Sequence, residues 1–104
     1  MGFVKVARLS EVPPGTAIEV VRGTDLLAVC NVDGEIRATS GVCPHAGGPL
    51  GQGALNGGYL TCPWHMWQFD SKTGQCDFNP AVRIPVYPVR VEKNQIFVDM
   101  VENA

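Results

Sequence analysis

Two short motifs bring cysteine and histidine side chains close together along the chain. The first is Cys43-Pro44-His45 and the second is Cys62-Pro63-Trp64-His65, with sixteen residues between them. The chain has two histidines, and both lie in these motifs. Thiolates and imidazoles are common ligands of transition metals, so a Cys-x-His and a Cys-x-x-His on two tight turns predict one metal centre shared by two opposed loops.

The same four residue types also suit a tetrahedral zinc site. Zinc fingers usually pair Cys-x-x-Cys with a later pair of histidines, whereas here each loop contains one Cys and one His. This mixed spacing argues against a zinc site, and a zinc-bound protein–protein adaptor is kept as an alternative. Colour tests the alternative, because a zinc protein is colourless.

These motifs resemble those of the Rieske iron–sulfur proteins, in particular the soluble ferredoxins of bacterial multicomponent oxygenases that act on aromatic compounds. The resemblance covers nearly the whole chain. It extends to the segment 65–69 with Thr73-Gly74 beyond it, and to Asn79-Pro80-Ala81, which is similar to the proline-containing third loop that covers the cluster in this family.

The resemblance implies the cofactor and its ligands. One Rieske [2Fe–2S] cluster per chain is expected, with Cys43 and Cys62 on the inner iron and His45 and His65 on the outer iron. Respiratory Rieske proteins carry an additional disulfide between their two ligand loops. At those positions this chain has Gly48 and Trp64.

The resemblance also implies the function. The chain is expected to be an electron carrier and not an enzyme, accepting one electron from a flavin-dependent ferredoxin reductase and passing it to a terminal oxygenase in aromatic hydrocarbon catabolism. No acid–base or nucleophile constellation outside the metal ligands argues for chemistry of its own. The alternative is the small Rieske-like subunit of an assimilatory nitrite reductase. Because positions 38–69 carry no Asp, Glu, Lys or Arg, the loop tips around Pro44 and Trp64 are expected to form an apolar docking face.

Composition narrows the kinds of partner and the cellular location that we expect for this protein. The chain has 104 residues, a net charge of −2 and 17% charged residues. This argues against a nucleic-acid or anionic-membrane partner, because binding either one would require a clustered excess of Lys and Arg. No apolar run has the length of a membrane span, and the N-terminus lacks a secretory pattern. We expect a cytoplasmic monomer whose partners are proteins. Cys30 and Cys76 are interpreted as buried structural thiols.

The pattern of the chain predicts one all-β domain over residues 1–104. The resemblance implies a Rieske-type antiparallel β sandwich or barrel, with a small inserted cluster-binding subdomain of two loops at about 41–80. The segment 41–58 contains seven Gly and two Pro, which favours a long functional loop. Asp33-Gly34 predicts a tight hairpin turn. Strands are predicted at 3–7, 17–22, 26–32, 35–39, 81–86, 88–92 and 95–101.

Overall fold

The computed structural model describes residues 2–44, 47–64 and 66–99. Within these ranges the regular structure consists of β-strands and two short 3-10 turns, Leu9–Glu11 and Leu50–Gln52. The strands are β1 (Phe3–Arg8), β2 (Ala17–Arg22), β3 (Asp25–Val32), β4 (Glu35–Ser40), β5 (Leu55–Asn56), β6 (Tyr59–Thr61), β7 (Gln68–Asp70), β8 (Val86–Tyr87), β9 (Val89–Glu92) and β10 (Gln95–Asp99). The all-β prediction is therefore confirmed.

The strands form three antiparallel sheets. The first has the order β1-β10-β9, the second β2-β3-β4-β8, and the third β5-β6-β7. The third sheet is inserted between β4 and β8, so it interrupts the second sheet in sequence. No helix in the described ranges has the length and apolar character needed to cross a membrane.

Strand β3 separates two apolar cores. Alternate side chains of a strand point to opposite faces, and β3 is apolar on both. Leu27 and Val29 pack with β1, β4 and β10 in one core. Ala28 and Cys30 face the other core, which contains the side chains of the inserted segment. The nearly continuous apolar sequence of β3 follows from this two-sided burial.

The inserted segment contains more regular structure than the sequence predicts. Strands β5 and β6 are joined by Gly57-Gly58, both with positive φ angles (56° and 93°), which is the backbone that a two-residue hairpin turn requires. The predicted hairpin at Asp33-Gly34 is confirmed, with φ angles of 52° and 98°. The inserted segment is thus a small sheet that carries loops, rather than two loops alone.

The predicted strand at 81–86 is wrong except at its end, where Val86 begins β8. This segment follows the inserted sheet, and its backbone is held by separate hydrogen bonds and not by a continuous ladder. Cys76 N–H donates to Val82 O (2.9 Å), Ile84 N–H to Gly74 O (2.8 Å) and Ser40 N–H to Pro85 O (2.9 Å). Pro85 has no N–H and cannot continue a ladder on that side. The predicted strand 17–22 has the same bounds as β2, and the other predicted strands differ from the observed ones by one residue at one end. Positions 100 and 101 of the last prediction lie outside the described residues.

Candidate metal centre

The two cysteine motifs fold into loops with the same backbone hydrogen bonds. In the first, Cys43 N–H donates to Gly48 O (2.9 Å) and Gly47 N–H donates to Cys43 O (2.7 Å). In the second, Cys62 N–H donates to Trp67 O (2.7 Å) and Met66 N–H donates to Cys62 O (2.9 Å). Each cysteine therefore has its backbone N–H and C=O fixed by the residues five and four positions ahead.

The two loops contact each other at Gly48. A Cβ atom at this buried glycine would lie 2.6 Å from Cys62 Sγ and 3.2 Å from the Trp64 ring. Only glycine allows the first loop to approach the thiol of the second so closely. Gly48 and Trp64, the positions that the resemblance matched to the disulfide of respiratory proteins, are adjacent here, and the indole covers the glycine.

Both cysteines of the motifs have the burial that a cluster ligand needs. Cys43 and Cys62 have no solvent-exposed surface and belong to the core shared with β3. The structure places neither in a disulfide. Their surroundings carry no formal charge from position 38 to position 69. A pair of buried thiols on converging loops fits the donor set of an iron–sulfur cluster.

His45 and His65 lie outside the described residues. Each belongs to one of the two hydrogen-bonded loops by sequence, between Cys43 and Gly47 in the first and between Cys62 and Met66 in the second. Their assignment as ligands to the outer iron therefore stays a prediction.

A polar contact joins the inserted sheet (β5-β6-β7) to the second sheet (β2-β3-β4-β8), which is called the base sheet below. Arg37 of β4 donates from Nη1 to Ser71 Oγ (3.0 Å), and Ser71 Oγ donates to Gly58 O (2.6 Å) in the β5–β6 turn. Arg37 also pairs with Glu35 (3.2 Å), and this contact lowers the pKa of the Glu35 carboxyl. The arginine thus ties the end of β7 and the β5–β6 turn to one strand of the base.

The segment 78–82, which contains Asn79-Pro80-Ala81, packs on the loop that follows Cys62. Phe78 meets Trp67 edge to face, with ring centroids 4.8 Å apart and an interplanar angle of 84°. Asn79 stabilises the turn that follows, because its Oδ1 accepts from Ala81 N–H (3.2 Å) and its backbone O accepts from Val82 N–H (2.9 Å). The segment 79–81 is therefore an ordered turn beside the loop that contains Cys62.

Met66 is a feature of the site that the sequence analysis did not predict. Its φ angle is 61°, in the left-handed region, where a non-glycine residue costs about 1 kcal/mol or more. Aligning the two Cys-Pro motifs places Met66 opposite Gly47, which has a φ angle of 77°. That alignment was the signal in the sequence, since glycine is the residue that such a position favours.

Cys30 and Cys76 are buried, as predicted, at 0% and 2% exposure. Burial raises the pKa of the Cys30 thiol, and the opposing effects of the Ser71 hydroxyl and the Arg37 charge are smaller. The thiol therefore resists ionisation in the folded protein more than in the unfolded chain.

This shift predicts an alkaline loss of stability. The contribution of Cys30 is fully present below the pKa of an unfolded thiol, about 8.5, and is lost as pH rises through the higher folded pKa. The difference in unfolding free energy between wild type and Cys30→Ala should shrink above pH 8.5, by about 1.4 kcal/mol for each pH unit between the two pKa values. Urea unfolding from pH 7 to pH 10 measures this, and a difference that does not change with pH would contradict it.

Comparison with known proteins agrees with this geometry. A model of the Rieske [2Fe–2S] domain matches residues 2–88. The biphenyl dioxygenase ferredoxin subunit of Pseudomonas sp. (strain KKS102) is 38% identical over 95% of this chain and 93% of its own length. The chain belongs to the Rieske [2Fe–2S] family, and it accordingly carries one such cluster.

Solved structures define the type of Rieske protein more closely. The ferredoxin in a complex of reduced oxygenase and oxidised ferredoxin of carbazole 1,9a-dioxygenase is similar over 98% of this chain and 96% of its own, with a TM-score of 0.88 and 32% identity. A structure described as a putative NADH-dependent nitrite reductase small subunit from Mycobacterium tuberculosis is similar over 93% of both chains, with a TM-score of 0.83 and 25% identity. The match to these ferredoxins covers nearly the whole chain and nearly the whole length of each relative, at more than 30% identity.

Proposed function

We propose that this chain is the ferredoxin component of a multicomponent oxygenase that acts on aromatic compounds, and that Cys43, His45, Cys62 and His65 hold its cluster. In this role it accepts single electrons from a flavin-dependent ferredoxin reductase and delivers them to a terminal oxygenase, in the cytoplasm and as a monomer. It makes and breaks no substrate bond. The biphenyl dioxygenase ferredoxin subunit and the carbazole 1,9a-dioxygenase ferredoxin support this function, because each is similar to this chain over nearly its whole length.

One observation supports the carrier role most directly. Cys62 is fully buried, yet Pro63 and Trp64, the next two residues, are exposed, Trp64 at 57%. A ligand that is shielded from water but lies beside an exposed apolar tip combines a protected redox centre with a short path to a partner. Small apolar contact areas of this kind suit transient redox complexes.

The residues around the site have separate tasks. When bound, the cluster supplies a one-electron centre, and ligation by two neutral imidazoles in place of two thiolates raises its potential above that of an all-cysteine cluster. The buried Cys43 and Cys62 thiolates would hold the inner iron. His45 and His65 would hold the outer iron through one ring nitrogen each, which would leave the second ring nitrogen of each imidazole for a hydrogen bond to a partner. Gly48 and the Trp64 indole keep water from the Cys62 thiolate.

The carrier function is tested with isolated components. The purified holoprotein is mixed anaerobically with a limiting amount of NADH and the reductase, and the oxidised terminal oxygenase is then added. Both partner proteins are obtained from the cells that produce this chain. Bleaching of the visible spectrum should require the reductase, and its recovery should require the oxygenase. If the oxygenase fails to reoxidise the reduced protein, the proposed function is wrong.

A nitrite reductase small subunit is the second candidate, supported by the structural similarity to the mycobacterial protein. A pull-down from those same cells separates the two. Recovery of a flavin reductase and an oxygenase supports the ferredoxin, whereas recovery of a large sirohaem enzyme supports the alternative.

If the exposed tip at Trp64 contacts the oxygenase, a charge placed there should change the rate of electron transfer. Trp64→Asp places a carboxylate on a surface that carries no charge, and we expect it to slow electron transfer to the oxygenase about tenfold with little change in midpoint potential. Trp64→Phe is the control, since it keeps an apolar ring. Stopped-flow reoxidation and a redox titration measure the two quantities. Transfer by Trp64→Asp at the wild-type rate would argue against a docking role for this tip.

A further inference from the structure

Met66 has a backbone conformation that its side chain makes unfavourable. Its φ angle of 61° belongs to the left-handed region, and its N–H is held there by the hydrogen bond to Cys62 O (2.9 Å). The equivalent position of the first loop is Gly47, at 77°. Glycine adopts this backbone without the clash of a Cβ atom, so a glycine here would favour the fold.

The side chain of Met66 does not compensate for this cost within the chain. It is 68% exposed, the highest value among the large apolar residues described as exposed. Burial of apolar surface stabilises a fold in proportion to the area removed from water, and most of this side chain remains in water. Strained residues of this kind are characteristic of functional sites, where the side chain is needed in a fixed place.

The surroundings of Met66 indicate what the side chain meets. Trp64 of the same loop is also exposed, at 57%, and Phe78, exposed at 60%, packs on Trp67 of this loop. Positions 38–69, which include this loop, contain no formal charge. The loop tip that carries Trp64 and Met66 therefore complements an uncharged apolar recess and not a charged patch, and the flexible thioether of methionine adapts to an irregular recess.

We propose that Met66 is a contact residue for the terminal oxygenase, inserted into an uncharged apolar recess on that protein, and that the strained backbone is retained because it holds the side chain in that position. This inference rests on the proposed ferredoxin function. We assign the contact to the oxygenase because a similar ferredoxin has been solved in complex with an oxygenase.

Three substitutions separate the side chain from the backbone. Met66→Gln keeps an unbranched side chain of similar size and the same strain but makes its end polar. Met66→Leu keeps an apolar side chain. Met66→Gly removes the side chain and the strain together. Asn94→Gly is the matched control, because Asn94 also has a left-handed φ angle (63°) but lies in the turn between β9 and β10.

The expected results have opposite signs for stability and for transfer. Met66→Gly should raise the melting temperature of the holoprotein by about 4 °C and slow reduction of the oxygenase about tenfold. Met66→Gln should leave the melting temperature unchanged and slow the same step to a similar extent. Met66→Leu and Asn94→Gly should transfer at about the wild-type rate. Reduction by the reductase and the visible spectrum should be unchanged in all four variants.

The measurements are stopped-flow kinetics with the oxygenase and reductase of the producing cells, and thermal unfolding of the holoprotein. Wild-type transfer by Met66→Gln overturns the inference while the ferredoxin function stands. Slower reduction by the reductase, with normal transfer to the oxygenase, also overturns it. If the wild-type protein itself fails to reduce the oxygenase, the proposed function is wrong and the inference is wrong with it.

Discussion

Replacing either His45 or His65 with alanine is expected to abolish the electron-paramagnetic signal of the reduced Rieske cluster. The signal depends on two imidazoles on one iron, and alanine offers no ligand atom in place of the lost nitrogen. Iron held by the remaining ligands would be lost or would give a different spectrum. The measurement is the spectrum of anaerobically purified, dithionite-reduced protein, compared with its iron content.

A control must show that the loss is specific to the histidines. Asn56→Ala is suitable, because Asn56 is an exposed neutral residue of β5 in the same inserted segment. It should give the wild-type signal in full. A normal Rieske signal from either histidine variant would exclude that histidine as a ligand to the outer iron.

The second large effect is expected at Gly48. In Gly48→Ala the new Cβ atom would lie 2.6 Å from Cys62 Sγ and 3.2 Å from the Trp64 ring, so the thiol or the loop must move. A displaced ligand binds its metal more weakly, and substitutions next to a metal ligand commonly lower affinity tenfold or more. We expect purified Gly48→Ala to retain only a small part of the wild-type iron and visible absorption.

Gly47→Ala in the same loop is the matched control. Gly47 has a left-handed φ angle of 77°, but a Cβ atom there would meet no atom within 4 Å. This variant should lose about 1 kcal/mol of stability from backbone strain and keep its cluster. Equal iron contents in Gly48→Ala and Gly47→Ala would show that the approach of Gly48 to Cys62 has no special role.

The sequence carried enough information to predict the fold class and most strands of the first and second sheets. The strands of those sheets alternate or are apolar on both faces, as β3 is, and tight turns such as Asp33-Gly34 mark their ends. The inserted sheet was missed because β5 has two residues and β6 and β7 have three. Strands of two or three residues are too short to show the alternation of apolar and polar side chains. The many glycines around them favoured the prediction of a loop.

The Cys-x-His and Cys-x-x-His motifs stand out in the sequence because both histidines of the chain lie in them, each beside a cysteine. What surrounds them was harder to foresee. The contact between Gly48 and Cys62 and the contact of Arg37 with Ser71 join residues 14 and 34 positions apart, which depends on how the inserted sheet packs on the base. The strand predicted at 81–86 failed for a similar reason, since that segment is held by separate hydrogen bonds and contains Pro85.

The most direct test of this account is the metal content of the protein. Anaerobically prepared protein, analysed for iron, zinc and acid-labile sulfide, should contain two irons and two sulfides per chain, as one [2Fe–2S] cluster requires. Protein that folds normally but contains zinc, or neither iron nor labile sulfide, would contradict the assignment of Cys43, His45, Cys62 and His65 to a Rieske cluster.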